Sequence, residues 1–170
     1  MFNMIKKYAV FGFFILSMST HAHLMVADHG TLNFDETGAY LVISLASSNF
    51  SEADLDNNGQ LSFNEFKQAK DIIFTKTLGG VYMQQADKIK QIDGLMLSPQ
   101  ASHHGDGTDI DQIVVMGKFI NIDHTQGLSF HNTLYGDGAH TKLEMTAKYK
   151  LLGLKQGFEL TPKQQYAKVF

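Results

Sequence analysis

The residues with the clearest chemical content lie between Asp54 and Glu65, reading D-L-D-N-N-G-Q-L-S-F-N-E. Oxygen-bearing side chains fall at the first, third, fifth, ninth and twelfth places of that stretch, and a glycine falls at the sixth. A hard dication takes six to eight oxygens at about 2.3–2.6 Å. Asp54, Asp56 and Asn58 can each present one, Gln60 its backbone carbonyl, and Ser62 a hydroxyl where a bridging water is commonly held. Glu65 can then close the shell with both carboxylate oxygens. Gly59 stands where the chain must reverse with φ > 0, a conformation glycine adopts without steric cost. Three carboxylates so close together repel one another without a cation.

This spacing resembles the twelve-residue calcium loop of the EF-hand family. The resemblance covers residues 54–65 and the helix that follows, and it occurs once in the chain. It implies Ca²⁺ as the ion, with Asp54, Asp56, Asn58, Gln60, Ser62 and Glu65 as ligands. EF-hands usually pair, so a single copy points to a structural clip or a weak site rather than a cooperative sensor.

The histidines form a second set. His23 would become the first residue of a chain cleaved after Ala22, and its amine and imidazole could chelate copper. Such a brace resembles periplasmic copper chaperones with sandwich folds and, more remotely, copper monooxygenases acting on polysaccharides. His103 and His104 lie beside Asp106, Asp109 and Asp111, a group able to hold a transition metal. Adjacent histidines diverge in extended chain, so His103 and His104 are poor co-ligands. A calcium loop starting at Asp106 fails because its twelfth residue is Gly117. His124, His131 and His140 stand singly and read as structural. G-x-S-x-G, H-E-x-x-H and P-loop patterns are absent, and with no cysteine there is no thiol chemistry.

The start of the chain carries Lys6 and Lys7, then the apolar run Ala9–Met18, then small residues at Thr20 and Ala22. That is the layout of a signal peptide over 1–22, and the run is too short for a transmembrane helix. Residues 23–170 are then one exported domain, periplasmic or secreted, with no stable membrane span and no disulfide. Without the leader, 12 lysines face 17 acids, a formal charge of −5, and the chain has no arginine. Mild acidity argues against nucleic acid and against an anionic membrane surface. Lack of arginine argues against bidentate phosphate recognition. A protein partner leaves no trace in the sequence, and neither does any catalytic residue, so the expectation is a non-enzymatic calcium-binding protein.

The positioning elements read mainly as strands. Met25–Phe34 and Tyr40–Leu45 flank turn residues at 35–38. Ser47–Ala53 is too short for a full helix, so one helical turn leads into the loop, with Phe50 as its apolar anchor. Ser62 and Glu65 form an S-x-x-E capping box. Phe63, Phe66, Ala69 and Ile73 recur at helical spacing, predicting a helix over 62–78 ended by Gly79-Gly80. Strand character returns at 81–84, 89–97 with a turn at Asp93-Gly94, 110–122, 128–135 and 141–152. In the last, Leu143, Met145, Ala147, Tyr149 and Leu151 alternate with polar residues. Gly136-Asp137-Gly138 reads as the hairpin turn before it. Residues 161–170 read as a short helix or an edge strand. The fold expected is mainly β: an antiparallel, immunoglobulin-like β-sandwich with an inserted loop and helix.

The order of these segments is similar to the soluble periplasmic domain of hydrogenase/urease metal-accessory membrane proteins. That resemblance implies an exported metal-handling accessory, here without the family's membrane helices.

Overall fold

A computed structural model describes residues 28–102, 107–123, 125–136 and 142–170. The expected leader, His23, His103, His104, His124 and His140 lie outside the described residues.

The described residues form two sheets, and the mainly-β sandwich expected from strand spacing is what they build. The large sheet holds β1 (Asp28–Asp35), β2 (Gly38–Ala46), β3 (Leu61–Ser62), β6 (Asp93–Ala101), β7 (Asp109–Ile120), β9 (Leu143–Tyr149) and β10 (Leu154–Leu160). The small sheet runs β11 (Tyr166–Lys168), β8 (Leu128–Asn132), β4 (Val81–Gln85), β5 (Lys88–Lys90). Pairing is antiparallel except between β1 and β9, which run parallel with Asp28 opposite Leu143 and Phe34 opposite Tyr149. The layers meet through Phe119 of β7 and Phe158 of β10, whose rings each lie 6.3 Å from that of Phe130 in β8. Phe119 and Phe130 are fully buried. No described helix is long and apolar enough to cross a membrane.

The first hairpin forms as expected. Asp35 Oδ1 accepts hydrogen bonds from the Thr37 N–H at 2.8 Å and the Thr37 hydroxyl at 2.7 Å, which closes its turn. Its second strand ends in a 3₁₀ segment, Ser47–Ala53, that buries Phe50 and Ala53. The helix begins at its capping box but is bent: α1 (Phe63–Gln68) passes through Ala69 into α2 (Lys70–Gly80). The ladder continues across the bend, because Ala69 N–H donates to Glu65 O and Ile73 N–H to Ala69 O.

Several local expectations need correction. The helix ends at the glycine pair, two residues later than expected: Gly79 and Gly80 are its last residues and Val81 is the first extended one. A Cβ on Gly80 would lie 2.4 Å from Leu134 Cδ2, so what that glycine supplies is close approach to the chain after β8. The segment 128–135 and the strand beginning near 141 do not form a hairpin. β8 belongs to the small sheet and β9 to the large one, and Asp137 and Gly138 of the expected turn lie outside the described residues. The alternation of β9 stops at Tyr149, where a 3₁₀ turn, Lys150–Leu152, leaves Leu151 exposed rather than buried. The segment 89–97 likewise divides between the layers, with β5 in one and β6 in the other. The end of the chain supplies the edge strand β11, and β10 was not anticipated.

Candidate metal centre

The acidic loop interrupts one lane of the large sheet. β2 pairs with β7 up to Ala46, opposite Gln112, and β3 rejoins the same side of β7 with Leu61 opposite Ile110. The other side of β7 carries β6. Residues 47–60 are therefore an excursion that leaves one strand and returns to it two residues further along. Leu61 is 3% exposed and is the apolar residue that the loop turns inward. The Phe63 N–H donates to Thr108 O at 3.1 Å, extending the attachment.

A buried polar clasp fixes the approach to the loop. Asp28 Oδ1 accepts from the Ala46 N–H and Oδ2 from the Asn49 amide, both at 2.7 Å. Asn49 Oδ1 in turn accepts from the Gly136 N–H at 2.7 Å. Burial pushes the Asp28 carboxyl above its usual range, while these donors pull the other way.

Within the loop, one carboxylate oxygen each of Asp54, Asp56 and Glu65 lie within 4.8 Å of one another. Like charges at that separation repel by about 1 kcal/mol in water and by about 3–4 kcal/mol at an effective dielectric of 20. Donors of the loop itself offset part of this. Asp54 accepts from Asn58 N–H at 3.2 Å and Gly59 N–H at 2.8 Å. Asp56 accepts from the Asn58 backbone at 3.1 Å and its side-chain amide at 3.0 Å. Asn58 Oδ1 accepts from Gln60 N–H at 2.8 Å. Asn57 and Gly59 adopt φ of 57° and 85° to make these reversals. A Cβ on Gly59 would meet nothing within 4 Å, so backbone conformation rather than space selects glycine there.

Glu65 is the most engaged member. Its Oε1 accepts from Leu55 N–H at 2.9 Å and Asp56 N–H at 3.2 Å. Its Oε2 accepts from the Ser62 N–H at 2.9 Å and the Ser62 hydroxyl at 2.8 Å, and Ser62 Oγ accepts from Glu65 N–H. Hydrogen bonds from Ser62, then from Asp56 and Leu55, hold this carboxyl below its usual range. A carboxylate offers about four lone-pair sites, so all of Glu65's are in use, whereas each oxygen of Asp54 and Asp56 accepts one donor. The donor set is all oxygen with a formal charge of −3, which fits a hard dication. Taking both Glu65 oxygens would require it to release donors from the Ser62 cap or from residues 55–56.

The structure thus brings together Asp54, Asp56, Glu65 and Ser62, with Asn58 braced against Asp56 and Gln60 against Asn58. The Leu55 and Asp56 amides that hold Glu65 escaped the sequence reading, since backbone donors carry no residue signature. The Asp28–Asn49 clasp escaped it too, although an aspartate opening a strand was the available signal. Of the histidines, His29 sits on the outer face of the large sheet, opposite Glu144 in the β1–β9 register. His131 is stacked between Tyr82 and Tyr166, with centroids 4.5 and 5.3 Å away, and its Nε2 lies 2.8 Å from Ser129 Oγ. Neither belongs to a metal-binding group among the described residues.

No protein-family model matches the chain, and no curated protein matches it.

Proposed function

We propose that the loop Asp54–Glu65 binds Ca²⁺ as an EF-hand-type site and that the ion fastens the loop and its helix to the large sheet. On this reading the protein is an exported, non-enzymatic calcium-binding β-sandwich, suited to a metal-handling accessory role. The observation that carries it is the convergence of Asp54, Asp56 and Glu65 to within 4.8 Å on a loop anchored to β7 on both sides. An oxygen-only donor set favours a hard cation over copper or zinc. In a compartment with millimolar calcium, a site with Kd of about 10⁻⁴–10⁻³ M would be substantially filled and would act structurally.

Isothermal titration with Ca²⁺, alongside amide exchange at Gly59 and Gln60, tests the proposal. Saturable binding with slowed exchange in the loop is expected. No heat and no change in exchange at low-millimolar Ca²⁺ would falsify it.

A further inference from the structure

The turn between β9 and β10 reads K-Y-K-L-L-G-L-K over residues 148–155. A turn in water ordinarily carries polar residues, yet Leu151 is 66% exposed, Leu152 51% and Leu154 40%. Gly153, with φ of 66°, closes the 3₁₀ turn and leaves Leu151 and Leu152 outside the core. Lys148, Lys150 and Lys155 surround the three leucines, and all are exposed. Among the described residues none of the three lysines joins an ion pair. The segment holds no acid. On the neighbouring β1–β2 turn, Asp35 is engaged by Lys118 and Thr37, and Glu36 is exposed.

The register places this tip and the acidic loop at opposite ends of the large sheet. Tyr149 lies opposite Phe34, beside the β1–β2 turn, whereas the loop departs from the other end of β2, at Ala46. The charge of the whole chain, which argued against an anionic surface, therefore conceals a polar distribution. One end carries the acidic loop, and the other carries an apolar tip with a basic collar, beside the Asp35–Glu36 turn.

We propose that the β9–β10 tip docks the protein onto an anionic lipid bilayer. Leu151, Leu152 and Leu154 enter the boundary between headgroups and acyl chains, and Lys148, Lys150 and Lys155 meet the headgroup anions. Exposed apolar residues ringed by charge mark interaction sites, and long lysine stems can lie along apolar surface while their ammonium groups stay in water. Charge complementarity selects lipid: three cations without an ion pair among the described residues, in a segment that itself holds no acid, suit a negatively charged sheet. The acidic loop at the far end is kept away from the same surface.

The chain has no cysteine, so Leu152→Cys and Lys163→Cys each give one site for an environment-sensitive fluorophore. Lys163 follows β10 at the end away from the tip. The full-length protein is mixed, in chelator, with vesicles of phosphatidylglycerol and phosphatidylcholine or of phosphatidylcholine alone. A blue shift and brightening at 152 with the anionic vesicles, none with phosphatidylcholine and none at 163 are expected. Changing all three lysines to glutamine should weaken the response roughly a hundredfold, about fivefold for each charge. The proposal is overturned by no shift at 152, or by equal shifts with both lipids. It is overturned equally by a lipid-independent shift that grows with protein concentration, which would make a second copy the occupant. Calcium is absent throughout, so failure here and failure of the calcium reading are separate results.

Discussion

Leu61 lies opposite Ile110 in β7, two residues along that strand from the point at which Ala46 lies opposite Gln112. The acidic loop is therefore held by one strand at both its departure and its return. Leu61 is the only apolar side chain of the loop stretch 54–62 that is buried there. Leu61→Ala should cost about 2–5 kcal/mol in urea unfolding and weaken calcium binding. Leu55→Ala, at an exposed loop position, should change stability by no more than about 0.5 kcal/mol. Equal effects would mean that the return strand does not anchor the loop.

Calcium at about a hundred times its Kd should add about 2.7 kcal/mol, or about 5–10 °C in Tm for a chain of this size. Glu65→Gln should abolish most of that rise. It should also cost about 1–3 kcal/mol without calcium, because the amide replaces one acceptor oxygen of four part-buried hydrogen bonds with a donor. Differential scanning calorimetry with and without chelator separates the two losses.

The depressed pKa of Glu65 gives stability a defined slope with pH. Its folded value lies below the ordinary 4.5, so the stability it contributes is complete above the ordinary carboxyl range. That contribution is lost as pH falls through the lowered folded value. In calcium-free buffer, the gap in urea midpoint between the parent and Glu65→Gln should be widest near about pH 6 and narrow toward about pH 3. A gap that widens on acidification contradicts the assigned hydrogen bonds.

The two glycines at the end of α2 should respond oppositely to alanine. Gly79 has open space around its missing Cβ, and Gly79→Ala should stabilise by about 0.5–1 kcal/mol through helix propensity and unfolded-state entropy. Gly80→Ala would set a methyl 2.4 Å from Leu134 Cδ2 and should destabilise by about 1–3 kcal/mol. Thermal unfolding of the two variants side by side reads the sign directly.

Asn49→Ala should cost about 1–3 kcal/mol, because it strips one donor from the buried Asp28 carboxylate and one acceptor from Gly136 N–H. Asn33→Ala, on an exposed strand position, is the control and should shift the urea midpoint little.

Period-two alternation made β9 legible from Leu143 to Tyr149, and the S-x-x-E box located the start of α1, because both signals are local. The clustering of Asp54, Asp56 and Glu65 was legible for the same reason: twelve contiguous residues determine it. What sequence did not disclose was pairing at a distance. Nothing in Leu128–Asn132 or Leu143–Tyr149 tells which layer each joins, so a Gly-Asp-Gly between two strands read as a hairpin turn although the strands belong to different sheets. Gly79-Gly80 marked the end of the helix, but the packing role of Gly80 was not legible, since Leu134, which requires the missing Cβ, is far along the chain. The lysine-collared tip went unseen because Leu151 continues the alternation in sequence, and only the 3₁₀ turn turns it outward.

The parallel contact of β1 with β9 has a consequence for how the molecule is assembled. β1 finds β2 at once, across a short turn, but its other flank is covered only by a strand more than a hundred residues downstream. Contacts of that span tend to form late and slow folding. A chain interrupted before Leu143 would therefore carry a long, unprotected edge near its beginning, open to pairing with any other chain it met.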